Sequence, residues 1–512
     1  MKTSIYDYFR ETEERCGNKT AVIEGDQSWT FRQLQQASHV LAGVLLQRRV
    51  PPNAVIAVLL KKSFNAVVSD LAITAIGCAY MNLDIKSPPT RLEQIMDVIA
   101  PSLVITDAKG TQMLSYMLNR TIPILNVDEI QSNEINGLCN PGESRLASLI
   151  DTDPYCVINT SGSTCIPKGV VLNHRSFVDF MNWSFHELEV DGAEVIGSLS
   201  PIIFDIFSYE LCMLIFKGST ICLIDDRLAP YPAKILEVLE NNRVSYIFWV
   251  PTIMVNIANM GLLEKFSLSD LKTVWFAGEV FPTIHFNKWF DRLPNVRFVN
   301  LYGPIEITLD CTFYVISKRI PDDQPIPMGH PCSNTALLVL NEDGTQTSDG
   351  QIGELYVRGT SLAMGYYNNP EQTARVFIQN PLNKNYPEII YKTGDLVIRN
   401  EGLYYFKGRE DTMIKHLGYR IELTDIEHAI LSSIPAVSNV CVVYSQTNKE
   451  IIAYCELQEE GLTILNFRAG LGRKLPTYMI PSRLEKVEQM PMNPNGKIDR
   501  LYFKRMVEEL SG

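Results

Sequence analysis

The chain has 512 residues, of which 46% are hydrophobic and 20% charged. This is a globular balance that excludes disordered, collagen-like and low-complexity chains and leaves room for about two to four folded units. Forty-six Lys and Arg stand against 58 Asp and Glu, a net charge of −12, so a nucleic-acid backbone meets net repulsion, while a small anionic ligand can still use a local basic site. No run of about 18 apolar residues occurs and the charged N-terminus lacks an apolar core, which argues against a helical membrane span or a secretory leader and sets the expectation of a cytoplasmic protein. The 11 cysteines are odd in number and never form Cys-x-x-Cys, a pattern that predicts free thiols in a reducing compartment, not a disulfide framework or zinc site.

From the N-terminus, short apolar runs alternate with amphipathic stretches. Ala21-Val22-Ile23 precedes a helical pattern over residues 31–48 and an apolar run over 54–60. Similar runs recur at 103–105, 156–158, 196–199, 221–224, 246–250, 273–276 and 297–300. Buried strands alternating with helices predict α/β layering with parallel sheet. After 337–340 the tight turns Asn341-Glu342-Asp343-Gly344 and Asn400-Glu401-Gly402 predict hairpins and a small antiparallel unit. The polar stretch Gly408-Arg409-Glu410-Asp411 divides a large multi-sheet α/β domain, residues 1–410, from a small α+β domain, residues 411–512. In the latter we expect a helix over 424–432, paired strands at 440–443 and 451–455, and a helix near 465–474.

Tyr155-Cys156-Val157-Ile158-Asn159 leads into Thr160-Ser161-Gly162-Ser163-Thr164-Cys165-Ile166-Pro167-Lys168-Gly169 and then Val170-Val171-Leu172-Asn173-His174. Strand, loop and strand make a phosphate-holding loop: N–H groups and hydroxyls donate to phosphate oxygens, and Lys168 supplies charge. It is not the Walker-type loop, which needs Gly-Lys-[Ser/Thr] opening a helix. On composition alone it is equally an ordinary Ser/Gly-rich surface loop.

Other segments decide the matter: Phe204-Asp205, Phe276-Ala277-Gly278-Glu279, Asn300-Leu301-Tyr302-Gly303-Pro304-Ile305-Glu306, Gly353-Glu354-Leu355-Tyr356-Val357-Arg358-Gly359, Tyr391-Lys392-Thr393-Gly394-Asp395, Gly408-Arg409-Glu410-Asp411 and Asn493-Pro494-Asn495-Gly496-Lys497-Ile498-Asp499-Arg500. In this order and spacing the set resembles the adenylation domains of nonribosomal peptide synthetases, members of the adenylate-forming enzymes, over nearly the whole chain. The resemblance implies the adenylate-forming fold, ATP and Mg²⁺ as cofactors, and attack of a carboxylate on the α-phosphorus with loss of pyrophosphate, a reaction that needs charge neutralised on phosphate oxygens.

By the same resemblance, residues 160–169 with Lys168 cover the pyrophosphate, Tyr302 lies against adenine, Glu306 helps hold Mg²⁺, Asp395 accepts from both ribose hydroxyls and Arg409 steadies the nucleotide. Gly278, Asn300 and Gly303 complete the nucleotide site, and Lys497 reaches the substrate carboxylate and α-phosphate. Taken singly, Asp395 also fits a turn cap, Glu306 a first-turn helix acid and Lys497 an exposed tail lysine. Asp205 would meet the α-ammonium of an amino acid, which separates amino-acid-activating members from those taking fatty or aryl acids.

The pocket positions carry over as Asp205, Ile206, Tyr209, Phe248, Trp275, Ala277, Leu301, Leu309, Asp310 and Lys497. Three rings and three aliphatic chains leave little volume, which favours a small amino acid. An inward Asp310 calls for a donor such as a hydroxyl and favours serine; an outward one leaves proline. The sequence departs from the family pattern at Cys165, usually glycine, at Ile305, usually threonine, and at Thr424-Asp425, where Thr424 is expected to cap a helix. The family rotates its small domain about the aspartate matching Asp411, bringing 412–421 toward the active site, with Gly418 either leaving room for a phosphopantetheine arm or serving as a hairpin turn. No carrier segment follows Lys497, so a free-standing ligase loading a separate phosphopantetheinylated carrier protein is expected, with no nucleic-acid or membrane partner. The alternatives are an acyl- or aryl-acid coenzyme A ligase and a catalytically weakened nucleotide- or amino-acid-binding protein.

Overall fold

The computed structural model describes residues 2–117, 122–130, 143–160, 167–409, 413–457, 462–491 and 498–509. The chain divides into two compact units: Met1–Ile85, Ile99–Ile158 and Gly169–Glu410 in one, and Lys86–Val98, Asn159–Lys168 and Asp411–Gly512 in the other.

Among the described residues the largest sheet has nine strands, in the order His330–Pro331, Thr312–Ile316, Arg297–Tyr302, Thr273–Phe276, Tyr246–Trp249, Val195–Ser198, Thr220–Leu223, Thr20–Glu24 and Gln27–Thr30. Its central strands pair in parallel, Phe248 opposite Trp275 and Trp275 opposite Val299. Parallel strands covered on both faces need apolar residues at every position, which is why these read as continuous runs and not as alternating ones. The period of two still sorts them. Tyr246, Phe248, Trp275, Val299 and Leu301 face one core together with Tyr209 and Leu309. Ile247, Trp249, Val274, Phe276 and Phe298 face another, covered by Met254 and Ile257 of the helix Pro251–Asn259 and Phe286 and Trp289 of Thr283–Arg292.

A seven-stranded sheet follows the order Gly365–Tyr366, Lys168–Asn173, Pro154–Thr160, Ala79–Asn82, Val55–Leu59, Leu103–Thr106 and Ile124–Asn126. The third sheet is antiparallel: Thr335–Leu340, Ile352–Gly359, Ile389–Asn400 and Phe377–Gln379 in line, with Leu403–Arg409 also pairing Ile389–Asn400. Its hairpin turns on Glu401 and Gly402, both at positive φ (49° and 80°). A two-residue turn with both centres left-handed matches the twist of the flanking strands.

In the second unit, Met413–His416 pairs with Tyr419–Glu422, and Val437–Ser445, Glu450–Leu457 and Arg483–Val487 form a three-stranded sheet. Alternation again gives two faces. Val440 and Val442 pack with Ile426 and Ile430 of the helix Leu423–Ser433. Cys441 and Val443 pack with Phe503 and Val507 of Arg500–Glu509.

Two expectations need correction here. Thr424 does not cap its helix: Glu422 holds the N-cap position without a side-chain cap bond, and the Thr424 hydroxyl donates to Glu422 at 3.3 Å from inside the first turn. The helix expected near 465–474 is Ile464–Leu471, stopped where Gly472 follows, a residue that costs a helix interior about 1 kcal/mol. Cys16, Cys78, Cys156, Cys212, Cys222, Cys311, Cys332, Cys441 and Cys455 are all free thiols, while Cys139 and Cys165 lie outside the described residues.

Candidate active site

The residues that the resemblance assigns to the nucleotide are brought together by sheet register. Asp395 and Arg409 stand directly opposite each other on paired strands, and the Arg409 guanidinium donates to Asp395 Oδ1 and, at 3.1 Å, to the Thr393 carbonyl. A bulge between Leu396 and Val397 adjoins this pair, and Gly408, at φ 139°, sits within it. Bulges of this kind re-aim neighbouring side chains.

Tyr302, at the end of its strand, packs into the core of the antiparallel sheet, and its hydroxyl donates to Asp395 Oδ2. Burial first, then the adjoining carboxylate, push the Tyr302 phenol well above its ordinary range, so it remains a donor. Asp395 thus lies buried between a neutral and a cationic donor, with further lone pairs able to accept other hydroxyls. Asn300, two residues earlier, donates to the Pro327 carbonyl at 2.7 Å.

Gly303 is required by contact: a Cβ there would lie 2.2 Å from the Leu309 carbonyl oxygen and 2.4 Å from Asp310 Cα. Gly278 takes φ 89°, a left-handed conformation that glycine adopts without strain. Its neighbour Glu279 accepts from the Thr252 N–H at 3.1 Å and from the Thr252 hydroxyl.

Glu306 is buried in the short turn Ile305–Ile307, and its Oε1 accepts from the Tyr366 hydroxyl at 2.7 Å. Thr160 and Lys168, buried, close and open the strands Pro154–Thr160 and Lys168–Asn173. The intervening Ser161, Gly162, Ser163 and Thr164, together with Asp411 and Lys497, lie outside the described residues.

Three of the positions that the resemblance assigns to the substrate pack as a buried aromatic cluster. Tyr209 stacks on Trp275 with centroids 5.1 Å apart and meets Phe248 edge to face at 5.6 Å; Phe248 and Trp275 are edge to face at 5.7 Å. Such arrangements suit the quadrupoles of the rings and add to their burial. Ala277, Leu301, Leu309 and Asp310 are buried, while Asp205 and Ile206 are half-buried at the first turn of the helix Asp205–Lys217. There Asp205 Oδ1 accepts from the Ile206 N–H at 2.9 Å, and the helix N-terminus favours its negative charge. Two donors end in this region without partners among the described residues: the Trp275 indole N–H and the Thr308 hydroxyl, both fully buried. Thr308 and Leu309 both take positive φ, 53° and 68°, uncommon for residues with a Cβ and characteristic of constrained sites.

A family model described as AMP-binding enzyme matches residues 9–367. Zwittermicin A synthase ZmaJ of Bacillus cereus is 30% identical over 509 residues, a match covering 98% of this chain and 94% of that one. The chain belongs to the AMP-binding enzymes. Tyrocidine synthase 1 of Brevibacillus parabrevis is 29% identical over 501 residues, and there the match covers 97% of this chain but 44% of the relative. AlmE of Vibrio cholerae, solved in complex with glycyl-adenosine-5′-phosphate, superimposes with a TM-score of 0.85 at 18% identity, covering 100% of this chain and 98% of that one. Holo-PA1221, an NRPS protein containing adenylation and PCP domains, gives 0.83 at 21%, covering 99% and 84%. This AMP-binding enzyme therefore has the adenylate-forming fold and is an AMP-forming ligase of the adenylation-domain type.

The described residues of this AMP-binding enzyme include no group of three or more His, Cys, Asp or Glu side chains able to hold a metal. A single buried carboxylate at Glu306 nevertheless fits Mg²⁺, which binds through one or two carboxylates plus substrate phosphates and keeps several waters. Sequence reasoning missed two residues that bear on the site. Tyr366 sits in Gly365-Tyr366-Tyr367 ahead of Asn368-Asn369-Pro370, a stretch that reads as a turn, and nothing local pairs it with a residue 60 positions earlier. Thr252 lies in an apolar helical stretch, its acceptor Glu279 27 residues away. The signal that could have found both is an acid flagged as functional, followed by a search for the donor that its burial demands.

Proposed function

We propose that this enzyme activates a small amino acid, serine before proline, as its aminoacyl-AMP and passes the aminoacyl group to the phosphopantetheine thiol of a separate carrier protein. The observation that carries the substrate reading is the orphaned, buried Trp275 N–H beside Tyr209 and Phe248, three positions that the family resemblance assigns to the substrate. The rings restrict volume, and an unpartnered buried donor is costly until a ligand accepts from it. A hydroxyl is a small group that accepts from Trp275. Proline's side chain cannot accept from it.

The chemistry follows from the same residues. Asp205 meets the substrate ammonium and fixes the carboxylate; a carboxylate oxygen attacks the α-phosphorus, the bond to the bridging oxygen breaks, and pyrophosphate leaves. Lys168 and Lys497 offset charge on the leaving and reacting oxygens. Magnesium, when bound through Glu306 and the phosphates, would neutralise phosphate charge in the same step. Tyr302 and Arg409 hold Asp395 for the ribose, so the nucleotide meets a preset acceptor. The thiol of the carrier's arm then attacks the mixed-anhydride carbonyl, AMP leaves and a thioester forms. The PCP domain in holo-PA1221 and the glycyl adenylate in AlmE, as features of those proteins, support the carrier and the small substrate.

The test is Asp205→Ala. Loss of adenylate formation with every α-amino acid, read by mass spectrometry, is the result expected. Unchanged turnover, together with activity on aryl or fatty acids and coenzyme A, would replace this reading with the acid ligase.

A further inference from the structure

Residues 363–367 take no part in the steps above, yet they are bound to Glu306 and to one strand at several points. The Ala363 N–H donates to the Glu306 carbonyl at 2.9 Å, and the Tyr366 hydroxyl to its Oε1 at 2.7 Å. Between and after these, Met364 N–H donates to Val171 O at 2.9 Å and Tyr367 N–H to Gly169 O at 2.8 Å, with Gly365 opposite Val171 and Tyr366 opposite Val170. The Tyr366 N–H is itself capped by the Thr373 hydroxyl at 2.9 Å. Two glycines permit this closeness. A Cβ at Gly365, φ 122°, would lie 2.6 Å from Thr373 Cγ2, and one at Gly169 2.6 Å from Ile99 Cδ1.

We propose that Tyr366 is a positioning residue for the Glu306 carboxylate, and that this strap holds it in place for metal binding. The inference rests on the reading that Glu306 holds Mg²⁺. Glu306 sits in a three-residue turn running into two positive-φ residues, and the sheet-anchored phenol fixes one oxygen of its carboxylate. The chemistry of the donor matters as well. A neutral O–H orients the carboxylate through a strong charge-assisted bond without cancelling its charge; an arginine in the same place would compete with the cation. Partners of a metal-binding carboxylate act in this way, and their loss typically costs about 10- to 100-fold in metal affinity.

The experiment is Mn²⁺ titration followed by electron paramagnetic resonance, with α,β-methylene-ATP bound, on the intact protein, Tyr366→Phe and Glu306→Gln. We expect about 10- to 100-fold weaker Mn²⁺ binding in Tyr366→Phe, unchanged metal-free nucleotide binding, and turnover that recovers as Mg²⁺ is raised. Thr373→Val, which removes the cap on the Tyr366 N–H, should weaken Mn²⁺ in the same sense by less. Native Mn²⁺ affinity in Tyr366→Phe, with Glu306→Gln impaired, overturns the inference and spares the metal reading. Native affinity in Glu306→Gln overturns the metal reading itself. Equal loss of metal-free nucleotide binding and thermal stability in Tyr366→Phe would reduce the tyrosine to a packing residue and likewise overturn the inference.

Discussion

The two clusters proposed for the nucleotide and for the substrate are built by opposite means. Around Asp395 the protein uses charge: a buried carboxylate receives a guanidinium from across the sheet and a phenol from a neighbouring sheet, and every partner is satisfied within the chain. Around Trp275 it uses shape: three rings pack against one another, and a buried N–H is left without a partner. The nucleotide is the same in every cycle and can be met by a finished network. On the proposed function the amino acid is what must be chosen, and a donor left unsatisfied until a substrate accepts from it would penalise substrates that cannot.

The contrast predicts effects of different kind and size. Asp395→Ala should be the most damaging, because it removes the acceptor proposed for two ribose hydroxyls, hydrogen bonds to a charged group worth about 1.5–3 kcal/mol each, so kcat/KM for ATP should fall about 100-fold or more, with the amino-acid profile unchanged in steady-state assays. Gly303→Ala joins the two clusters, since its Cβ would drive into the backbone at 309–310. It should destabilise the fold by about 3 kcal/mol, seen in denaturant unfolding, and impair ATP and amino acid together. Trp275→Phe keeps the ring packing and removes only the N–H. Turnover of serine should drop about three- to tenfold, the worth of one neutral hydrogen bond, while alanine should be unaffected.

A second buried carboxyl sharpens the contrast from the other side. Asp70 is fully buried like Asp395, but it faces the Asn82 amide at 3.0 Å, and its Oδ1 has no partner among the described residues. Burial pushes it up to about 8. Because the folded value lies above the unfolded one, folding takes up a proton between about pH 4 and 8 and stability falls as pH rises through that window. Asp70→Asn should flatten this slope and raise the melting temperature by a few degrees at pH 8, with little change at pH 4, in thermal melts across that range.

How much of this was legible in the sequence follows from the range of the forces involved. Strands such as Thr273–Phe276 were visible because burial on both faces demands an unbroken apolar run, and the hairpin at Glu401-Gly402 because left-handed turns select a few residues. Tyr302, Asp395 and Glu306 could be singled out from ordered motifs, and the structure adds what motifs do not carry. The hydroxyl of Tyr302, expected only as a ring against adenine, is the donor that holds Asp395. Tyr366 escaped notice because its meaning lies in a hydrogen bond across 60 residues. Thr424 was misread because capping preference is local, whereas the helix start is displaced by the strand Tyr419–Glu422 that runs straight into it.

The central claim, activation of a small hydroxylated amino acid, is tested most directly by ATP–pyrophosphate exchange under reducing conditions across the proteinogenic amino acids, several D and β forms, and aryl and fatty acids. The account predicts exchange that is strongest with serine, weaker with alanine and proline, and absent with aryl and fatty acids. Exchange driven by an aryl or fatty acid, or none with any acid despite measurable ATP binding, would contradict it.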